Sequence, residues 1–217
     1  MSHRARLAAT ASLVALAISL TACAPATEYS ACLLPDHAPA QEALTEMEGQ
    51  VLSKGPQGEE PVSADTLELT DDEVDQIKAE KATAAIVMHY TGDDWTAAQL
   101  NGLRTRFSEL GIEVIGVTDA GQDPSKQVSD IENMIARKPD IMISIPTDAV
   151  ATAGAYRRAA EAGIDLVFMD NVPVGFEAGE DYISAVSADN YGNGVVSAHL
   201  MAQALEGEGN IGVIKYG

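Results

Sequence analysis

Four short apolar runs, rich in Ile and Val, set the strongest constraint on how this chain folds. They are AAIVM (84–88), IEVIGV (112–117), IMISI (141–145) and IDLVFM (164–169), and they begin 28, 29 and 23 residues apart. None of them alternates polar with apolar residues, which is typical of parallel strands buried on both faces. The segments between the runs are long enough for one crossover helix each. The pattern therefore predicts an α/β fold, a doubly wound parallel sheet with flanking helices and right-handed connections.

The segments between the strands carry helical periodicity. Asp123-Pro124 is a cap followed by proline at the first helical position, Thr147-Asp148 precedes a further helix that ends before Gly163, and a last helix runs to about Leu205. The apolar faces of the first two interstrand helices are marked by Leu100, Leu103, Phe107 and Leu110, and by Val128, Ile131 and Ile135.

A short helix is also predicted ahead of the first strand, over residues 70–81. Thr70 and Glu73 have the spacing of a capping box. Acidic residues follow the start of the segment, and Lys78 and Lys81 lie near its end, so the charges match the helix dipole. We interpret the acidic run as a solvated helix face and not as a metal site.

The first 23 residues have the pattern of an export signal. Arg4 and Arg6 precede an apolar run over residues 7–20 whose 14 residues are too few to span a bilayer as a helix. The run ends in Leu-Thr-Ala-Cys, which resembles the lipobox of bacterial lipoproteins and implies lipidation at Cys23. The alternative is an N-terminal helix that happens to hold a cysteine. If Cys23 carries lipid, Cys32 lacks an intramolecular disulfide partner, and the sequence places nothing electropositive around it to activate the thiol.

Residues 24–65 have the composition of a flexible tether. Five of the nine prolines fall here among Gly, Ala and Glu, without sustained periodicity. Residues 42–52 could form a short helix, with nothing later in the tether to pack on it. We therefore expect an α/β lobe over residues 66–208, preceded by the 1–23 signal and the 24–65 tether, and followed by a strand over 209–217.

Composition and motifs argue against several functions. A formal charge of -20 repels polyanions, so nucleic-acid binding is not expected. A DNA-binding repressor with an α/β fold of this kind would also need a basic helix-turn-helix, where this chain has an export signal and an acidic tether. The chain has no G-x-S-x-G elbow, no P-loop and no G-x-G-x-x-G after the first strand, so we expect a protein that is not an enzyme and uses no cofactor. Its four histidines have no zinc-like spacing.

Polar residues gather where the predicted strands end. The segments HYTGDDW, TDAG, PTD and DN follow the four strands in order. Because ligands of open parallel sheets bind beyond the carboxyl ends of the strands, these residues are expected to face one crevice. Asp170 and Asn171 together offer hydrogen-bond acceptors and donors, which suits a polyhydroxylated ligand.

Four segments in this order resemble the first lobe of periplasmic sugar-binding proteins of the ribose-binding type, which deliver sugars to ABC transporters. They are VMHYTGDDW, DAGQDPSKQVSDIENMIARKPDIMISIPTDA, AGIDLVFMDNVP and AVSADNYGNG, within residues 84–217. The resemblance implies the type I periplasmic-binding-protein fold, in which two lobes close over a sugar. It also implies that GNIGVIKYG (209–217) starts a second lobe, so this chain is expected to be a fragment or a truncated product.

The resemblance implies roles for six residues. Tyr90 and Trp95 would stack on the sugar ring, Asp170 and Asn171 would bind its hydroxyls, and Asp94 and Asp189 would also face the cleft. Trp95 could instead pack at a helix start, Asp170 could cap the strand, and Asp189 could cap the following helix. His89 could touch the ligand or serve as a hydrogen-bonded residue at the core edge.

Two departures from the ribose-type pattern argue against ribose itself. Ribose-type receptors tend to have Asn before Pro-Thr-Asp and Arg after the fourth-strand Asp, whereas this chain has Ile145 and Asn171. Losing the fixed fork of guanidinium donors changes which hydroxyl pattern can be satisfied.

The expected function is capture of a sugar-like small molecule for an ABC importer, with the permease as partner. The protein would be held by its lipid anchor at the outer face of the cytoplasmic membrane. A lipoprotein that reports ligand to a membrane sensor kinase is the alternative.

Overall fold

The computed structural model describes residues 38–214. The predicted export signal, the lipidation site at Cys23 and the thiol of Cys32 lie outside the described residues.

The core of the protein is one parallel sheet. Its strands are β1 (Thr83–Met88), β2 (Glu113–Asp119), β3 (Ile141–Ser144), β4 (Asp165–Met169) and β5 (Ser184–Val186). They are ordered β2-β1-β3-β4-β5, and each neighbouring pair is parallel. The sequence predicted the first four strands, and the structure confirms them to within one or two residues at each end.

Helices cover both faces of this sheet. They are α1 (Ala38–Glu46), α2 (Asp71–Glu80), α3 (Asp94–Glu109), α4 (Pro124–Arg137), α5 (Ala153–Glu161) and α6 (Asn190–Ala204), with a 3₁₀ turn at Ala64–Thr66. One buried cluster joins β1 and β4 to α4 and α5, and it includes Ile131, Tyr156 and Phe168. The other joins β1 to α3 and α2 around Ile86 and Phe107. Helices on both faces confirm the doubly wound sheet, and the burial of β1, β3 and β4 explains why these strands read as unbroken apolar runs.

Side-chain caps begin two helices where the sequence places them. Thr70 and Glu73 form the reciprocal capping box of α2, and Lys81 closes the helix in a left-handed conformation. Asp123 accepts from the backbone N–H groups of Ser125 and Lys126 at the start of α4, with Pro124 at the first helical position. Both caps satisfy donors that the first helical turn leaves unpaired.

The start of α5 differs from the sequence prediction. The helix was expected to follow Thr147-Asp148 directly, but it begins at Ala153. Asp148 accepts from the backbone N–H groups of Val150 and Ala151, and its carbonyl accepts from Thr152, so a turn is inserted first. An Asp side chain stabilises such a turn as readily as a helix start, and the sequence does not separate the two.

Strand β5 was not predicted. It has three residues, and all three are exposed. It pairs with β4 through residues 184–186, so its position depends on the neighbouring strand and not on an apolar pattern of its own.

Part of the predicted tether lies against the lobe. Helix α1 packs along α6, Leu52 and Ser53 donate hydrogen bonds to Asp189, and Gln57 donates to the Phe176 carbonyl. The expectation of a spacer without tertiary packing therefore does not hold for residues 38–57. The hydrogen bonds of this segment go to groups more than 100 residues away in the sequence, and the periodicity of a segment gives no sign of such partners. At the other end of the described chain, residues 209–214 form no strand.

Candidate functional site

The candidate site lies where β1, β2 and β4 end and their loops begin. All strands of the sheet are parallel, so their carboxyl ends meet along one edge.

The loop after β1 presents an indole at the start of α3. Asp93 caps this helix, accepting from the backbone N–H and the hydroxyl of the buried Thr96 at 2.8 Å each. The cap places Asp94 and Trp95 in the first turn, where Asp94 is exposed and the Trp95 side chain is 49% exposed. An indole this open leaves a face for a ligand.

Tyr90 occupies the space beside a glycine in the same loop. Its ring is half-buried, and a Cβ at Gly92 would come within 2.1 Å of the Tyr90 hydroxyl oxygen. Any side chain at position 92 would therefore displace the tyrosine. Gly92 fixes the place of the Tyr90 ring by leaving room for it.

The loops after β1 and β2 are joined through Asp119. Its carboxylate accepts a short hydrogen bond from the Thr91 hydroxyl and a 2.8 Å bond from the backbone N–H of Gly121. The bond from Thr91 is the main reason that the pKa of Asp119 lies below its usual range. A charged acceptor thus lies at the end of β2.

Asp170 follows β4 in a backbone conformation that side chains rarely adopt. Its φ is 64°, and its N–H donates to the carbonyl of Val186 at 2.9 Å. Its carboxylate accepts from the side-chain amide of Asn190 at 3.4 Å. A non-glycine residue in the left-handed region costs about 1 kcal/mol or more, so the surrounding bonds hold it there.

Asn171 connects the ends of β3 and β4. It is exposed, and its side-chain amide donates to the Pro146 carbonyl at 3.3 Å. The amide oxygen has no protein donor among the contacts of the described residues, so it is free to accept from a ligand hydroxyl.

His89 lies among the acids of these loops. Burial is the largest influence on its pKa and lowers it, while the negative charges of Asp170, Asp93 and Asp119 oppose that shift. The imidazole meets the Trp95 ring edge-on, with centroids 6.3 Å apart. In the described part of the chain, the Nδ1 atom of His89 has no hydrogen-bond partner. The acids that act on His89 thus come from the ends of β1, β2 and β4 or the loops that follow them.

Asp189 has a different environment from the other predicted site residues. It caps α6 through the N–H of Gly192 at 2.9 Å, and it also accepts three hydrogen bonds from Leu52 and Ser53. These bonds, that from the Leu52 N–H first, lower the pKa of Asp189 to about 2. The structure thus shows the helix-capping alternative, with both carboxylate oxygens occupied.

Sequence reasoning missed Asn190 and the link between Thr91 and Asp119. Asn190 follows Asp189, the predicted cap of α6. Its side-chain amide donates to Asp170, and this contact depends on the position of α6 relative to the end of β4. Thr91 is one of several hydroxyl residues in its loop, and its partner is 28 residues away. No spacing in the sequence marks either contact.

Among residues 38–214, no cluster of three or more His, Cys, Asp or Glu side chains is arranged to hold a metal ion. In the same range, no helix has the length and apolarity needed to cross a bilayer.

Comparison with known proteins gives consistent matches over the sheet and its helices. The family model described as a periplasmic binding protein domain matches residues 84–217. A Rhizobium meliloti protein described as rhizopine-binding is 31% identical over 114 residues, which is 52% of this chain and 37% of that protein. The ribose import binding protein RbsB of Bacillus subtilis is 32% identical over 104 residues, or 48% of this chain and 32% of that protein.

The fold is also found among solved structures. A Caulobacter myo-inositol binding protein bound to myo-inositol aligns with a TM-score of 0.52 and 25% identity, covering 58% of this chain and 41% of that one. In each of these three alignments, the matched region spans well under half the length of the relative.

Proposed function

Since this chain belongs to the periplasmic binding protein domain family, we propose that it is an extracytoplasmic solute-binding receptor for a sugar or a similar polyhydroxylated molecule. It would pass that ligand to an ABC importer, with the transporter permease as its protein partner. The names of the matched relatives, which refer to binding or to import, support this proposal.

The observation that carries the proposal is the convergence of an open indole with acids and amides at one sheet edge. Trp95 contacts His89, and the charge of Asp170 acts on that same imidazole although the two residues follow different strands. A flat aromatic face packs on the apolar face of a sugar ring, while carboxylates and amides bind its hydroxyls. We assign stacking to Trp95 and Tyr90, and hydroxyl binding to Asp170, Asn171 and the exposed Asp94.

Asp189 is not part of this assignment. Its oxygens already accept four hydrogen bonds within the chain. Its Oδ1 atom accepts three of them and its Oδ2 atom accepts one, from Leu52, so little of its acceptor capacity is left for a sugar hydroxyl.

The single tryptophan of the chain gives a direct test. Titration of the protein with D-ribose and with myo-inositol, followed by Trp95 emission and by calorimetry, is expected to show saturable binding of a polyhydroxylated ligand. Because Asn171 stands where ribose-type receptors have Arg, we expect myo-inositol or another cyclic polyol to bind more tightly than ribose.

In a full-length, two-lobed version of the protein, Asp170→Ala is expected to weaken binding by roughly 1.5 to 3 kcal/mol, the scale of a lost charged hydrogen bond. Asp165→Ala is the matched control, since Asp165 is an exposed residue at the opposite end of the same strand. If both variants bind equally well, Asp170 does not contact the ligand. If a full-length, two-lobed version of the protein shows neither an emission change nor heat with any sugar or polyol, the proposed ligand class is wrong.

A further inference from the structure

Residues 50–57, here called the strap, are tied to the start of α6. The N–H groups of Leu52 and Ser53 donate to the Asp189 carboxylate at 2.9 and 2.8 Å, and the Ser53 hydroxyl donates to it at 2.7 Å. At the far end of the strap, the Gln57 side chain donates to the Phe176 carbonyl at 2.5 Å. The strap is thus held at two points of the lobe.

The strap also completes the cap of α6. Helix starts leave four backbone N–H groups without helical acceptors. Here the N–H of Tyr191 donates to the Ser53 hydroxyl at 3.1 Å, and that of Gly192 donates to Asp189 at 2.9 Å. One of the four donors is therefore satisfied only by a residue from a distant part of the chain.

Few other contacts fix α6. Gly192 is its only buried residue, and the element packed along it is α1, which belongs to the same N-terminal segment as the strap. A contact between the Gln203 amide and Gln41, at 3.2 Å, joins these two helices near their ends. The position of the first turn of α6 accordingly depends on residues 38–57.

Asn190, the first residue of α6, connects the helix start to the candidate site. Its side-chain amide donates to Asp170 at 3.4 Å and to the Ser187 hydroxyl at 3.1 Å, while the adjacent Asp189 holds the strap. The bond to Asp170 is near the upper limit of hydrogen-bond length, so a shift of a few tenths of an ångström in the α6 start would break it.

We propose that Asn190 is a positioning residue for Asp170, and that the docked strap keeps it in place through Asp189. The role given to Asp170 rests on the proposed function. The mechanical link between the strap, Asn190 and Asp170 does not, and it is tested without a sugar.

Trypsin reports whether the strap is docked. Between Arg6 and Lys78 the chain has one residue after which trypsin cleaves, Lys54, which lies within the strap. Cleavage there gives a single early cut that intact mass identifies, and its rate follows the population of the undocked strap when reclosing is fast.

Asp189→Asn is the main variant. Asn caps helices about as well as Asp, so α6 retains its start, but the neutral amide is a poorer acceptor for the strap. We expect cleavage at Lys54 to become about tenfold faster. Asp123→Asn makes the same exchange at the α4 cap, away from the strap, and is expected to leave the rate unchanged.

A second readout follows the link to the site. In NMR spectra, the Asn190 side-chain amide is expected to be shifted and slowly exchanging in the wild type, and to move toward free-amide values in Asp189→Asn. Ser53→Ala, which removes the hydroxyl bonded to Tyr191, should produce the same change, and Ser63→Ala, a serine of the same N-terminal segment that does not contact α6, should not.

The outcomes are distinct. Faster cleavage at Lys54 together with a released Asn190 amide, in both Asp189→Asn and Ser53→Ala, supports the proposal. Faster cleavage with an unchanged Asn190 amide overturns it, because the strap would then not reach Asp170. Wild-type cleavage as fast as that of a free peptide of residues 48–60 also overturns it, since the strap would not be docked. Failure of sugar binding alone would count against the proposed function and leave these results intact.

Discussion

At the scale of single residues, the structure places one buried pair of hydroxyl groups between the sheet and α5. Ser144 and Tyr156 are both buried, and their hydroxyl oxygens lie 2.5 Å apart. Ser144 also donates to the Val87 carbonyl at 2.7 Å. Burial raises the pKa of the Tyr156 phenol far above its usual range, so this side chain is neutral at every physiological pH.

The two hydroxyl groups are expected to differ in what their removal costs. Tyr156→Phe should lower the free energy of unfolding by about 1 kcal/mol, because Ser144 keeps its carbonyl partner. Ser144→Ala should cost more, about 1 to 3 kcal/mol, since it leaves the Tyr156 hydroxyl buried without a partner. Urea unfolding of both variants shows which substitution lowers the free energy of unfolding more. A larger decrease for Tyr156→Phe would contradict this account.

Asp189 gives a prediction about pH. Its pKa in the folded protein is about 2, against about 3.9 for an unfolded Asp. Because the folded value is the lower one, the carboxylate stabilises the fold fully above about pH 4, and this contribution is lost as the pH falls toward about 2. The stability difference between wild type and Asp189→Asn, measured by urea unfolding, should be constant above about pH 5 and shrink below about pH 4. A difference that persists unchanged at pH 2.5 would show that the ionised carboxylate of Asp189 is not the source of the stabilisation.

The variant Trp95→Ala distinguishes a ligand-binding role of the indole from a packing role. Its indole is half-exposed, so Trp95→Ala should leave the melting temperature within a few degrees of the wild type while weakening sugar binding. Thermal unfolding and calorimetry of the same variant measure the two effects. A large loss of thermal stability would instead make Trp95 a packing residue, the alternative that the sequence leaves open.

At the scale of elements, a buried glutamine connects α4 to the loop after β3. Gln127 is fully buried; its amide nitrogen donates to the Ile145 carbonyl at 2.8 Å, and its oxygen accepts from the Thr147 N–H at 2.7 Å. The loop that leads from β3 toward the candidate site is thereby held by one helix side chain.

Gln127→Leu is expected to destabilise the protein by about 2 to 4 kcal/mol, since the leucine fills a similar volume but leaves two backbone groups without partners. Gln122→Leu is a suitable control, because Gln122 is exposed and lies just ahead of the same helix. Denaturant midpoints of the two variants check this, and equal midpoints would mean that water or a shifted backbone satisfies the freed groups.

The elements also show how far the sequence predicts this fold. β1 and β4 coincide with unbroken apolar runs, and α2 and α4 carry their own capping residues, so local pattern and final structure agree. β5 has no apolar pattern, and the start of α5 depends on a turn that competes with the helix. At the candidate site, the sequence identifies which side chains follow the strands. It cannot give the Asn190 to Asp170 contact, which requires the geometry of two separate elements.

At the scale of the whole molecule, the predicted lipobox implies that the protein is attached to a membrane through Cys23. We expect the native protein to be found in the membrane fraction with the mass of a lipid on Cys23, because a lipid with two buried acyl chains holds a protein stably at a bilayer, whereas a single chain binds only marginally. Cys23→Ser should release the protein from membranes, while Cys32→Ser should not. Intact mass after detergent extraction checks both, and an unmodified, soluble wild type would contradict the lipobox interpretation.

The bond between Ser53 and Asp189 has a consequence for biosynthesis. The two residues are 136 positions apart, so Ser53 leaves the ribosome long before its partner exists. Closing so long a loop is slow compared with forming local helices, and it requires that β5 and α6 are already in place. Residues 38–57 are therefore expected to stay undocked for as long as the lobe is unfinished, and their docking is among the last steps in the folding of the lobe.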